Sequence, residues 1–86
     1  MAIDRMQLLR AFEREYRELK DSSRSVRPED RFEALGIDSL LAQELLAQLE
    51  DEYGIDLFGD ERLMKVRTVG ELLDVLEDHV PESAAL

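Results

Sequence analysis

Apolar residues recur at helical spacing in three separate stretches of this chain, and nowhere at the two-residue spacing of a half-buried strand. The first stripe, Ile3, Met6, Leu9, Phe12, Tyr16 and Leu19, predicts a helix over about residues 3–19. The second, Ala42, Leu45, Leu46, Leu49 and Tyr53, predicts the inward face of a helix over 39–53. The third, Val69, Leu72, Leu73, Leu76 and Val80, predicts a helix over 69–80. Its start is marked by Thr68-Val69-Gly70-Glu71, the form of a capping box, and Pro81 stops it, leaving a tail at 81–86. Between the second and third stripes, Asp60 fits the cap of a short helix over 61–66 that turns Leu63 and Met64 inward. Three long amphipathic helices and one short third helix, with no internal repeat, predict an all-α protein, a small antiparallel bundle. Eighty-six residues suffice for one core, so 1–86 reads as a single domain.

The links are read by their breakers. Residues 20–30, with Asp21-Ser22-Ser23 and Arg27-Pro28-Glu29-Asp30, form a polar loop whose second half is anchored by Phe32, Leu35 and Ile37. Gly54 supplies a left-handed helix end, after which Ile55, Leu57 and Phe58 return to the core. Glu13, Arg14, Glu15, Arg17 and Glu18 read as the solvated face of the first helix. In the second helix, Leu40 is expected to half-pack on the preceding loop and Leu41 to point outward.

Charge narrows the partners. The net charge is −10, and residues 32–61 hold nine acidic groups with no Lys or Arg. Such a surface repels nucleic acid and steers encounters toward basic protein patches. No apolar run approaches the ~20 residues of a membrane span, and the N-terminus lacks the apolar stretch of a secretory signal. A soluble, cytoplasmic monomer with no membrane partner is expected. There is no cysteine, so any thiol chemistry must use a sulfur brought from outside the chain.

Gly36-Ile37-Asp38-Ser39-Leu40 precedes the second stripe, and either Asp38 or Ser39 can cap that helix. Ser39 then lies at the positive end of the helix dipole, beside main-chain N–H groups the helix cannot pair, where a phosphate on its oxygen is electrostatically favoured. Capping without further function accounts for the same residues. A hydrolase built on Ser39 lacks a base: the one histidine, His79, is forty residues away, where it suits a helix C-terminus. No Gly-rich phosphate loop or metal-ligand set is present, so the chain is not expected to be an enzyme.

Leu35-Gly36-Ile37-Asp38-Ser39-Leu40 resembles the attachment site of acyl carrier proteins. The resemblance continues through Glu44-Leu45, Leu49-Glu50, Tyr53-Gly54-Ile55 and Thr68-Val69, covering roughly Phe32 to Val80. It implies that a phosphopantetheinyl transferase, using coenzyme A and Mg²⁺, attaches 4′-phosphopantetheine to Ser39, with Asp38 and Leu40 completing the motif. It also implies docking of partner enzymes, of acyltransferase, ligase and ketosynthase type with basic patches, on a face made by Leu41, Glu44, Ala47, Glu50 and Asp51. Arg24, Arg27 and Arg31 could reach the arm's phosphate or simply be solvated. Many carriers have an acid where this chain has Leu41, so partner specificity does not transfer from fatty-acid carriers. Asp-Ser-Leu, rather than the Gly-Gly-x-Ser-Leu or His-Ser-Leu of many peptidyl carriers, leans toward acyl and polyketide systems of bacterial specialised metabolism. A start at Met1 leans toward a discrete carrier. A discrete aminoacyl or peptidyl carrier and an unmodified helical adaptor using the acidic face remain open.

Overall fold

The computed structural model describes residues 4–57 and 59–80. Among them are three α-helices, α1 (Arg5–Lys20), α2 (Ser39–Tyr53) and α3 (Val69–His79), a single 3-10 turn at Glu61–Met64, and no strand beyond one isolated bridge between Arg31 and Thr68. The all-helical expectation holds. The expected short third α-helix over 61–66 is instead a four-residue 3-10 turn. Ile3, Phe58, Pro81 and the expected tail at 81–86 lie outside the described residues.

α1 packs against both α2 and α3, and α3 also meets the 3-10 turn. α1 starts with a reciprocal capping box: Gln7 N–H donates to Asp4 Oδ1 at 2.8 Å, and Asp4 N–H donates to Gln7 Oε1 at 2.9 Å. It ends at Asp21, whose φ of 52° is left-handed. Its buried residues are Leu8, Ala11, Phe12 and Tyr16, so the expected stripe needs correction. Met6 is 55 % exposed, and Leu9 and Leu19 only flank the core. The reason is geometric. Each step of three falls about 60° short of a full turn, so the two steps from Met6 to Phe12 swing about a third of the way round the helix.

The α3 stripe is buried as expected, with Val75 added, and Val80 is the extended residue that closes the helix. Its capping box is formed, Thr68 Oγ1 accepting from Glu71 N–H while Glu71 Oε1 accepts from Thr68 N–H, each at 3.1 Å. Arg67 N–H first and Thr68 N–H second, both donating to the Glu71 carboxyl, hold it below its ordinary range. Arg5 pins the start of α1 to α3, donating to Asp74, Glu77 and the Gly70 carbonyl.

The inward direction expected for the short third helix was half right. Leu63 and Val66 pack on the core, whereas Met64 is 86 % exposed. The 3-10 turn ends at Met64, and at three residues per turn the neighbours Leu63 and Met64 point about 120° apart and do not share a face.

Candidate functional site

The chain reaches Ser39 through a segment held at both ends. Leu35 and Ile37 are buried; Tyr16 Oη donates to the Leu35 carbonyl at 2.7 Å, and Ile37 N–H donates to the Phe32 carbonyl at 2.9 Å. Between them Gly36 takes φ 72°, a conformation that L side chains adopt only with strain. The two flanking anchors project the next three residues, Asp38, Ser39 and Leu40, to the surface.

Which residue caps α2 is now decided. Asp38 is extended, with φ −93° and ψ −177°, and its Oδ1 accepts from Leu41 N–H at 2.8 Å. Ser39 is therefore the first helical residue. Its side chain is exposed, and its hydroxyl has no hydrogen-bond partner among the described residues. With Asp38 turned onto the helix backbone, it is not placed as a base for Ser39. His79 is engaged elsewhere: its Nε2 lies 2.8 Å from Asp60 Oδ2, at the 3-10 turn. Asp60 also accepts from the Arg62 guanidinium and backbone N–H, and Arg62 first and His79 second hold its carboxyl well below the usual carboxylate range. His79 does lie in the last turn of its helix, as the sequence reading has it, but that reading does not include this partner, 19 residues away in the chain. Among the described residues no group of acidic or histidine side chains is arranged to hold a metal.

A cavity of about 380 Å³ opens beside Ser39 and runs between α2 and the 3-10 turn toward α1. Phe12, Phe32, Leu45, Leu46, Leu63 and Val66 form its apolar walls. The Phe12 and Phe32 rings stack with centroids 6.2 Å apart. An adjoining open groove of about 770 Å³ shares Ser39, Ala42, Leu46, Leu63 and Met64 with this cavity and extends to Leu57. An exposed, unpartnered hydroxyl beside apolar space suits attachment of a long group and its shelter, and gives no machinery for turnover.

The expected docking residues divide. Glu44, Ala47 and Asp51 are exposed on one face of α2, and Leu40, 67 % exposed, joins them. Leu41 does not point outward: it is half-buried against the core, one turn before Leu45 and two before Leu49. The expected places of Leu40 and Leu41 are thus exchanged, because a step of four keeps Leu41 beside the buried row while Leu40 falls on the opposite side. Glu50 also differs from a free docking carboxylate, since its Oε2 accepts from Leu57 N–H at 2.6 Å and its backbone carbonyl accepts from the N–H groups of Gly54 and Ile55. It fastens the link that follows α2. Of the loop arginines, Arg24 donates to the Ala34 carbonyl at 3.2 Å. Neither the Tyr16 to Leu35 bond nor the Glu50 to Leu57 bond has a signal in local sequence.

Residues 17–76 match the family described as "Phosphopantetheine attachment site", a span that includes the whole of α2 and most of α3. The chain belongs to this acyl carrier family. Its covalent group is 4′-phosphopantetheine, and carriers of the family are not themselves catalysts. The carrier is 44 % identical over 64 residues to a "Meromycolate extension acyl carrier protein" of Mycolicibacterium aurum, covering 70 % of this chain and 65 % of that one. The protein of the same name from Mycolicibacterium smegmatis matches at 44 % over 64 residues, 70 % of this chain and 64 % of that one. An "Acyl carrier protein homolog" of Ureaplasma parvum serovar 3 is 42 % identical over 45 residues, 52 % of this chain and 57 % of its own. The carrier thus spans somewhat under two thirds of the length of these curated relatives. No helix among its described residues is long and apolar enough to cross a membrane.

Proposed function

We propose that Ser39 bears the phosphopantetheine arm and that the protein carries acyl intermediates as thioesters between partner enzymes. The observation that carries this reading is the exposed, unpartnered Ser39 hydroxyl at the first position of α2, opening onto apolar space. In the attachment step, Ser39 Oγ forms a bond to the pantetheine-side phosphorus of coenzyme A, 3′,5′-bisphosphoadenosine leaves, and the hydroxyl proton passes to the transferase. The arm supplies a terminal thiol that holds the cargo as a thioester. What this chain contributes is placement: Asp38 fixes the helix start, Gly36 and the buried Leu35 and Ile37 present the serine, and α2 displays acid.

Leu40, Glu44, Ala47 and Asp51, in that order along the exposed face of α2, form the surface on which basic patches of a transferase and of acyltransferase, ligase or ketosynthase partners dock, as a monomer in the cytoplasm. Modest charge-steered contacts favour rapid exchange of partners, and the tether raises the cargo's local concentration at each. The cargo is an acyl chain under extension, in a polyketide or related pathway of bacterial specialised metabolism. The apolar lining beside Ser39 supports an acyl rather than an aminoacyl group, and the names of the mycobacterial-type relatives support chain extension.

Incubation with coenzyme A, Mg²⁺ and a broad-specificity phosphopantetheinyl transferase, followed by intact mass and peptide mapping, tests the assignment. One added phosphopantetheine on Ser39, absent in Ser39→Ala, is expected. No gain beside a control carrier that is modified in the same tube would favour the unmodified adaptor.

A further inference from the structure

The cavity beside Ser39 has two charged side chains in its lining, Asp38 at the mouth and Arg67. Arg67 belongs to the link between the 3-10 turn and α3, and its backbone is tied on both sides. Its N–H donates to Glu71 Oε1 at 2.6 Å, and its carbonyl accepts from Phe32 N–H at 3.0 Å. The guanidinium has no hydrogen bond or close ion pair among the described residues, unlike those of Arg5, Arg14 and Arg62, and acts on the Glu71 carboxylate only through space, as Arg31 does. The Arg31–Thr68 bridge places a second cation nearby, and an adjoining cavity of about 380 Å³ is lined by both Arg31 and Arg67.

These cations stand beside a segment that has none of its own, since residues 32–61 carry nine carboxylates and no Lys or Arg. A phosphodiester on Ser39 adds a negative charge next to Asp38, whose carboxylate is held in place by Leu41 N–H. Two adjacent anions at one helix start repel, and a guanidinium pairs with phosphate oxygens in a two-pronged geometry that an ammonium cannot reproduce.

We propose that Arg67 is the counter-ion of the phosphodiester on Ser39, an inference that rests on Ser39 being the attachment point. The pairing ties the link before α3 to the start of α2 across the cavity mouth. Loading the arm thereby stiffens the wall that carries Val66 and Arg67, and the root of the arm is directed toward the cavity rather than into solvent.

Apo and loaded forms of wild type, Arg67→Ala, Arg67→Lys and Lys65→Ala test this, with intact mass confirming the loading of each. The loaded-minus-apo difference in Tm is expected to fall by about 2–4 °C in Arg67→Ala, to be partly kept in Arg67→Lys and to be unchanged in Lys65→Ala, a neighbouring cation outside the cavity lining. The wild-type difference is expected to shrink with salt, and the ³¹P resonance of the loaded form to move only on substitution of position 67. Equal Tm differences and an unmoved ³¹P resonance in Arg67→Ala overturn the proposal while leaving Ser39 attachment intact. If Arg67→Ala does not fold, Arg67→Gln takes its place in the same comparison. Failure of wild type to gain mass at Ser39 overturns the attachment reading and this inference together, and is told apart by the mass alone.

Discussion

Tyr16→Phe isolates the contact that positions the serine segment. Tyr16 and Leu35 are both buried, and the 2.7 Å bond from Tyr16 Oη is the one that satisfies the Leu35 carbonyl among the described contacts. The substitution removes one oxygen and leaves the ring, so little apolar burial changes. The loss is that of a buried hydrogen bond with an acceptor left unpaired, about 1.5 kcal/mol within a range of roughly 1–3. For a domain of this size each kcal/mol moves Tm by about 4–8 °C, giving an expected fall of about 6–12 °C. Tyr53→Phe is the control, because the Tyr53 hydroxyl has no partner among the described residues, and its Tm is expected to stay within about 3 °C of wild type. Thermal melts and urea titrations of both variants provide the measurement, with the urea slope unchanged and the midpoint shifted only for Tyr16→Phe. Because Leu35 lies four residues before Ser39, transferase loading is also expected to slow in Tyr16→Phe at temperatures where it remains folded. Equal melting temperatures for the two variants would refute the claim that α1 holds this segment through that bond.

Gly36→Ala forces an L residue into φ 72° and brings a new Cβ to 3.3 Å from Lys20 Nζ; the lysine end can move, so backbone strain of about 1–2 kcal/mol dominates, visible as a lower Tm with slower loading of Ser39. Glu44→Gln with Asp51→Asn is expected to leave Tm nearly unchanged while reducing the transferase on-rate several-fold at low salt and little at high salt. Glu50→Ala should do the reverse, costing about 1–2 kcal/mol in a urea melt through the freed Leu57 N–H, and a stable Glu50→Ala protein would contradict its fastening role. The lowered Asp60 carboxyl fixes a pH sign: its stabilising contribution is present above the ordinary carboxylate pKa near 4 and is lost as pH falls through the lower folded value. Asp60→Asn should therefore melt lower than wild type at neutral pH and converge with it in acid, whereas parallel Tm curves from pH 7 to 2 would count against the cluster.

The contrast between α3 and α1 shows what kind of information a stripe holds. Every residue of the Val69 to Val80 stripe is buried, because its steps of 3, 1, 3 and 4 keep to one side of the helix. The α1 stripe misplaced Met6 because its run of threes drifts round the helix, and the burial of Leu8 and Ala11 was decided by two neighbours packing on one helix. The exchange of Leu40 and Leu41 has the same origin, since α2 is buried along the row that meets α1, and that direction is not written in α2 alone.

What the sequence by itself determined are features closed within about a turn of chain. They include the Thr68–Glu71 capping box, the left-handed Gly54, the helical periodicity of α2, the stripe of α3, the cluster of acid in 32–61, and the ordered motif around Ser39. The caps and periodicities depend on hydrogen bonds or spacings of three to five residues, and the acid and the motif are residue order itself, so the sequence is enough to read them. Only the tertiary structure decided which carboxylates are free and which are fastened, which cation lines the cavity beside the serine, and what holds the motif in place. Glu50 meets Leu57, His79 meets Asp60, Tyr16 meets Leu35, and Arg67 comes to the Ser39 cavity through chain separations of 7 to 28 residues. Such pairings form because packing the apolar faces brings distant polar groups to one place, where each must then find a partner.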